Sequence, residues 1–394
     1  MLAHFGHHLL AALLTPLLPF IRDDLRLNYT QAGGLVSFSN VAYGISQLPA
    51  GWLADRIGPR LVLTIGVAGV AVAGLMVGLS PTYLILAVFL VLLGAAGGGY
   101  HPAAAPLISA SVESKNQGRA LGIHQIGGAG SFFLAPLIGA SIAGALGWRG
   151  SFIAISIPTI AFGIVFYILL GRLGYIKKSQ QGITTTPSET RPAPGSLRRL
   201  VTIVALSIAS FTLIYSTVSF IPLFIVDNFG TSEKTAAVML ALTFSGGLWA
   251  APLGGYLSDR IGSVPVILVA GFIAGPAVYL MNVAPFGWSL SAILIIIGMA
   301  QHLGMPVVEA YVITYSSERR RSTVLGIYYF GSRGGPGIIA PVIGYLIDHY
   351  GFYTTFSIVG AAMTTVTLVC AILLLANRTQ KTSIKDLGKP YHPL

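Results

Sequence analysis

The sequence predicts an all-α membrane protein in which twelve transmembrane helices form two six-helix, pseudo-symmetric halves. Three observations carry this expectation. Of the 394 residues, 54% are hydrophobic and only 9% charged, with a mean hydropathy of +0.78, whereas a soluble domain carries about 25% charged residues. Apolar stretches of roughly twenty residues, the length that crosses a bilayer, recur along the whole chain. Landmarks of the first half also return in the second at a nearly constant offset.

The apolar stretches lie near 2–20, 32–53, 60–80, 83–111, 119–145, 150–171, 200–226, 235–257, 264–283, 287–315, 322–347 and 352–376. Many of the 48 glycines fall within them, and small residues let membrane helices approach closely, so a packed bundle is expected rather than isolated anchors. Residues 174–199 are polar, basic and rich in Pro, Ser and Thr, which marks a linker. The domain expectation is a first half over 1–173, a cytoplasmic linker over 174–199, a second half over 200–376 and a cytoplasmic tail over 377–394. The repeat is visible residue by residue. Asp55 and Asp259 are 204 positions apart, as are Gly94 and Gly298, Pro102 and Pro306, and Leu121-Gly122-Ile123 and Leu325-Gly326-Ile327. Ala135-Pro136 and Ala340-Pro341 follow at 205. Two parallel repeats related by an axis along the membrane normal are an architecture of secondary transporters.

The net charge of +11 is decided by its distribution. Eighteen of the 23 Lys and Arg fall in alternate connections and the tail: Arg56, Arg60, Lys115, Arg119, the stretch Arg172–Arg199, Arg260, Arg319–Arg321 and Arg378–Lys389. The intervening connections hold Arg22, Arg26, Arg149 and Lys234. That asymmetry is the positive-inside pattern rather than a nucleic-acid surface, and it puts both termini in the cytoplasm. The first twenty residues lack a basic start and an A-x-A-type cleavage site, so they read as the first span and not as a signal peptide. The single Cys370 excludes an intramolecular disulfide and a cysteine-based metal cage.

The stretch Gly51-Trp52-Leu53-Ala54-Asp55-Arg56-Ile57-Gly58-Pro59-Arg60 separates two spans and returns as Gly255-Tyr256-Leu257-Ser258-Asp259-Arg260-Ile261-Gly262. Its charges belong at a membrane surface, because burying them in hydrocarbon is costly. This string resembles the loop motif of the major facilitator superfamily, and the resemblance covers the whole chain. It implies the major facilitator fold and alternating access. It also implies a conformational latch at Gly51, Asp55, Arg56, Gly58 and Arg60, with Asp259 and Arg260 in the degenerate copy. Asp55 at a helix end can pair with a basic group or cap a neighbouring helix. Arg56 and Arg60 suit an anionic inner leaflet. Within the superfamily, three stretches are similar to the fosmidomycin-resistance type of exporter. They are His4 with the helix ending Pro16-Leu17-Leu18-Pro19, Tyr100-His101-Pro102, and His124-Gln125-Ile126-Gly127-Gly128 running to Ala135-Pro136-Leu137. The chain departs from that type in carrying His7-His8 where an Asn-Asp pair is usual. The fifth span also resembles the antiporter glycine-proline motif, with Ser131, Ala135 and Ala140 in place of glycines.

Spans 3, 6, 9 and 12, which the resemblance turns toward lipid, hold no ionisable residue in their middles. The ionisable groups fall on span 1 (His4, His7, His8), span 4 (His101), span 5 (His124), span 10 (His302, Glu309) and span 11 (Arg333). Groups of this kind face cavities and mark transport pathways. The expected substrate and proton pathway is therefore His4, His7, His8, Gln47, His101, His124, Gln125, His302, Glu309 and Arg333. Glu309 is the only acid clearly inside a span, and an acid in apolar surroundings suits proton gain and loss. His302 lies seven residues before it, which on one continuous helix puts both on one face. Arg333 on the adjacent span is the expected counter-ion. His4 and His8 are one turn apart and could bridge a metal, but a HxxHH string with no acid or cysteine does not complete a shell, so no metal is assigned.

No Walker-type phosphate loop, dinucleotide fingerprint or catalytic triad order occurs in a credible context. No catalytic residue, cofactor or enzyme activity is expected. The sequence reads as a secondary active transporter of a small organic solute or drug. It is expected in the plasma membrane, the inner membrane of a prokaryote, as a multi-pass monomer surrounded by lipid and coupled to protons. Export is the leading direction, on the strength of the resemblance. The rivals are an uptake symporter for a small organic anion and, more distantly, a membrane di-iron oxidase built on the histidine string.

Overall fold

A computed structural model describes residues 1–113, 117–172, 196–315 and 318–387. The described chain is helical and has no strand. In order, the helical rods are α1 (Leu2–Leu25), α2 (Tyr29–Ile57), α3 (Pro59–Gly78, with a π-helical stretch at Ile65–Gly69) and α4 (Tyr83–Gly97 and Tyr100–Ala110). A long helix, Gln117–Arg172, bends at Gly147 into α5 (117–146) and α6 (148–172). In the second half follow α7 (Ser196–Phe229), α8 (Glu233–Ile261), α9 (Ser263–Met281) and α10 (Trp288–Leu303 and Met305–Tyr315). The helix Glu318–Leu387 bends at Gly351 into α11 (318–350) and α12 (352–387). The described part of α7 begins at Ser196, and the segment assigned to a tail is helical as far as Leu387. Among the described residues, nine stretches meet the length and apolarity of a membrane span, two of them being the bent pairs. Most of the expected linker, 174–199, lies outside the described residues.

The internal repeat extends into backbone geometry. Gly58 (φ 87) and Gly262 (φ 90) turn the hairpins between α2 and α3 and between α8 and α9. Gly147 (φ 70) and Gly351 (φ 73) make the bends after α5 and α11. Arg26 (φ 53) and Gly230 (φ 61) end α1 and α7 in the left-handed region. Asn28 and Ser232 then cap α2 and α8 by accepting a hydrogen bond from the backbone N–H three residues on. Each pair is 204 residues apart.

The repeated Gly94 and Gly298 explain why this offset is kept. A Cβ on Gly94 would lie 2.1 Å from the Ser39 carbonyl oxygen of α2, and one on Gly298 1.8 Å from the Thr243 carbonyl oxygen of α8. Backbone cannot yield as a side chain can, so each glycine lets two helices touch. Gly94→Ala and Gly298→Ala are each expected to cost about 1–3 kcal/mol, read as lower thermal stability in detergent. Gly122→Ala, with nothing within 4 Å of its would-be Cβ, should match the parent protein.

The two halves meet along α2 and α11 and along α5 and α8. At Gly44 a Cβ would stand 2.9 Å from the Gly334 Cα, and Gly33 packs on the Ala340 carbonyl. Phe132 of α5 meets Phe244 of α8 at 5.5 Å between ring centroids. The bundle has a hairpin end, carrying Gly58 and Gly262, and an opposite end, carrying Arg22 and Asp227.

Candidate functional site

The break of α4 after Gly97 and the packing of α1 against α5 assemble a histidine cluster in the first half. Gly128 makes room for it: a Cβ there would fall 2.6 Å from the His4 ring. His4, His7 and His8 are all buried. The His4 Nδ1 bonds the His124 carbonyl oxygen at 2.9 Å, and the two rings stack at 4.1 Å. The His7 Nδ1 bonds the Gly66 carbonyl at 2.5 Å, while its ring stacks on Tyr100 at 4.5 Å. The His8 Nε2 meets the His101 Nε2 at 3.0 Å. Five histidines from three rods, α1, α4 and α5, thus share one site. Gln125, by contrast, is exposed and does not join them.

Arg333 of α11 enters from the second half. Its guanidinium lies 5.6 Å from the centre of the Phe211 ring of α7. Its neighbourhood includes Tyr43 and the histidine cluster of the first half and Tyr215, His302 and Glu309 of the second. One cation is therefore placed among groups from both halves. The expected ion pair with Glu309 is not formed, since no carboxylate stands within 4.0 Å of Arg333 among the described ion pairs. Tyr329, one turn before Arg333, instead stands beside the Glu309 side chain. His302 and Glu309 do not lie on one continuous helix, because α10 breaks at Gly304 beside Pro306. Proline has no N–H to continue the ladder and clashes with the preceding turn. The His302 Nδ1 bonds the Gly298 carbonyl at 2.9 Å and its ring faces Gly247 of α8. Around this centre, the His4 and His7 Nε2 atoms, the Tyr43 hydroxyl and the Gln47 Nε2 are buried without a hydrogen-bond partner. Buried polar atoms rarely stay unpaired, and these atoms are free to bond a polar guest.

The hairpin residues behave differently. Gly51 and Asp55 belong to α2, and the Asp55 side chain lies outside the described residues. Arg56 stacks on Trp52 at 4.7 Å, and Arg260 on Tyr256 at 4.6 Å. Arg60 bonds the Tyr167 carbonyl of α6 at 3.0 Å. These contacts stay inside one half, and Asp259 is placed at the matching point of α8.

The ties between halves stand at the opposite end, where sequence reasoning assigned no function. Arg22 of α1 forms a bidentate ion pair with Asp227 of α7, one of its two bonds measuring 2.8 Å. The Tyr29 hydroxyl also donates to Asp227, at 2.5 Å. Asp348 of α11 accepts from the backbone N–H groups of Tyr29 and Thr30 at 2.9 and 2.8 Å, capping α2. A sequence signal existed in part: Asp23 and Asp227 are repeat mates. Nothing in the sequence paired Asp227 with Arg22.

Comparison with known proteins agrees with this architecture. The profile of the Major Facilitator Superfamily matches residues 1–225 and 203–393. The chain is 25% identical to a probable sulfoacetate transporter of Cupriavidus necator, covering 95% of this chain and 92% of that protein. It is 26% identical to the multidrug resistance protein MdtG of Salmonella paratyphi C over 88% of this chain and 87% of the other. A probable L-galactonate transporter of Escherichia coli is 26% identical over 71% and 66%. Among solved structures, a POT family transporter in complex with 5-aminolevulinic acid superposes with a TM-score of 0.80 at 13% identity, covering 95% of each chain. A bacterial homologue of the lysosomal transporter Spinster gives 0.75 at 17%, covering 100% and 97%. With the family profile spanning both halves and transporters as relatives, the chain is a multi-pass membrane transporter and belongs to the Major Facilitator Superfamily.

Proposed function

We propose that the protein is a secondary active transporter that carries a small organic anion together with protons. The observation that carries this reading is Arg333, a cation without a carboxylate partner among the described ion pairs, set among histidines and tyrosines of both halves. A fixed cation in a low-dielectric site selects for negative charge. The sulfoacetate and L-galactonate named for two relatives are organic anions, which supports the same class.

The geometry also bears on direction. Each histidine that gains a proton adds positive charge beside Arg333 and so favours the anion. Proton and anion then promote one another's binding, and linkage makes that promotion reciprocal. Mutual promotion drives both in one direction, which is symport. Exchange requires competition for a common position. We therefore favour uptake symport at the inner membrane, with the hairpin end and both termini cytoplasmic, over export. Efflux remains the second reading, carried by the similarity to a multidrug resistance protein.

Flux into proteoliposomes under an imposed pH gradient separates the two. An inward proton gradient should accelerate uptake of a labelled short-chain carboxylate or sulfonate. Acceleration of efflux instead would overturn symport. Glu309 is assigned as the proton carrier, with Tyr329 positioning its carboxyl. Glu309→Gln is expected to keep the fold and counterflow exchange while losing gradient-driven accumulation. Accumulation undiminished by that change would remove Glu309 from the role.

A further inference from the structure

We propose that His4, His8 and His101 form a binding site for a divalent transition-metal cation of the zinc, cobalt or nickel class. One ligand nitrogen from each of the three lies within 4.8 Å of the other two. The His8 and His101 Nε2 atoms are already 3.0 Å apart. Imidazole nitrogens bind such ions at about 2.0–2.1 Å, which in a tetrahedral shell sets them roughly 3.3 Å from one another.

The surroundings of the rings are those of ligands. The His4 Nδ1 is engaged by the His124 carbonyl at 2.9 Å. A carbonyl accepts, so the Nδ1 carries the proton and the Nε2 keeps its lone pair. That Nε2 is buried and has no partner, and the residue is 1% exposed. Ligating histidines are typically held this way, with one ring nitrogen donating to a carbonyl and the other left for the metal. For His8 and His101, the proton shared between the two Nε2 atoms moves to Nδ1 of the same ring as the ion enters. No net charge leaves the protein in that step.

Three neutral nitrogen ligands, with no thiolate or carboxylate among them, suit borderline divalent ions rather than magnesium or calcium, which prefer oxygen. Three protein ligands also leave a fourth position open, as at catalytic zinc sites. The ligands come from α1 and α4 of one half, so the ion does not clamp the two halves together.

The test uses the full chain, without a polyhistidine tag, purified in detergent. Titration of Co²⁺ should give saturable binding of one ion per chain, with an absorption spectrum of tetrahedral nitrogen ligation. Zn²⁺ should displace it, and Mg²⁺ should not. This spectrum needs no substitution, so it reads the site even if a variant misfolds. His8→Asn and His101→Asn should each abolish the spectrum, while His349→Gln, exposed on α11, should retain it. Absence of saturable Co²⁺ binding to the parent protein would overturn the site. So would a spectrum unchanged in both His8→Asn and His101→Asn. The measurement does not depend on anion transport, so it stands apart from the symport reading.

Discussion

Replacing Arg333 by glutamine is expected to weaken binding of the organic anion at least about thirtyfold and to abolish measurable uptake. Leaving one side of a buried charge pair uncompensated costs about 2–5 kcal/mol, and every 1.4 kcal/mol is a factor of ten. Glutamine keeps much of the side-chain length and hydrogen-bonding capacity but loses the charge. Arg333→Lys should recover part of the affinity, since a point charge serves without the planar fork that the guanidinium presents. Binding of a neutral solute of similar size should not fall in parallel. Anion affinity unchanged in Arg333→Gln would sink the proposed substrate class, because no other cation described in the structure occupies that centre. The protein should remain folded, as Arg333 stacks on Phe211 and anchors no described ion pair.

The second large effect concerns the end of the molecule that carries Arg22. Asp227→Asn removes the charge that receives both Arg22 and the Tyr29 hydroxyl. Asp348→Asn weakens the cap on α2. An isolated exposed ion pair contributes little, but Arg22 and Asp227 are 15% and 25% exposed at the side chain and belong to a network. Together the two substitutions are expected to shift the balance between open and closed forms of this end by about 1–3 kcal/mol. Spin labels at Thr82 and Trp288 would report it, being at this end and on opposite halves. The distance distribution should gain a longer population in the double variant. A distribution indistinguishable from that of the parent would mean the network decorates the closure without controlling it. Glycine at position 44 lets α2 and α11 touch, so the closed form rests on packing as well as charge.

Much of this molecule was legible in the sequence because membranes impose simple rules. A chain that cannot leave backbone groups unpaired in hydrocarbon must cross as helices. Apolar length therefore gave the rods, and the duplicated Asp55 and Asp259 gave the halves. Rarity of ionisable groups inside apolar spans marked His4, His7, His8, His101 and His124, and the fold brings all five together. The same rule marked Gln125 through its neighbour, and it faces away, because adjacent residues on a helix point about a third of a turn or less apart and need not share a surface.

Periodicity failed where helices are interrupted. The seven-residue spacing of His302 and Glu309 assumes an unbroken α10, and the break at Gly304 invalidates it. The sequence also paired Arg333 with Glu309, and nothing in it pointed to Tyr329 as a neighbour of the acid. The ties at the Arg22 end were out of reach for a different reason. Arg22 and Asp227 are 205 residues apart, and each lies near the end of its helix, α1 or α7, in a stretch of ordinary composition.

By itself, the sequence determined the class of fold, the duplication, the family motif and the small set of polar residues worth considering. These follow from local composition and spacing, which obey the bilayer and the helix repeat. Tertiary structure alone decided which of those residues meet and which nitrogen of His4 is free. It also decided that Arg333 has no carboxylate partner among the described ion pairs, and that Asp227 and Asp348 tie the halves at the far end. Such facts depend on side-chain direction and on contacts between segments far apart in the chain, and no local rule of spacing carries them.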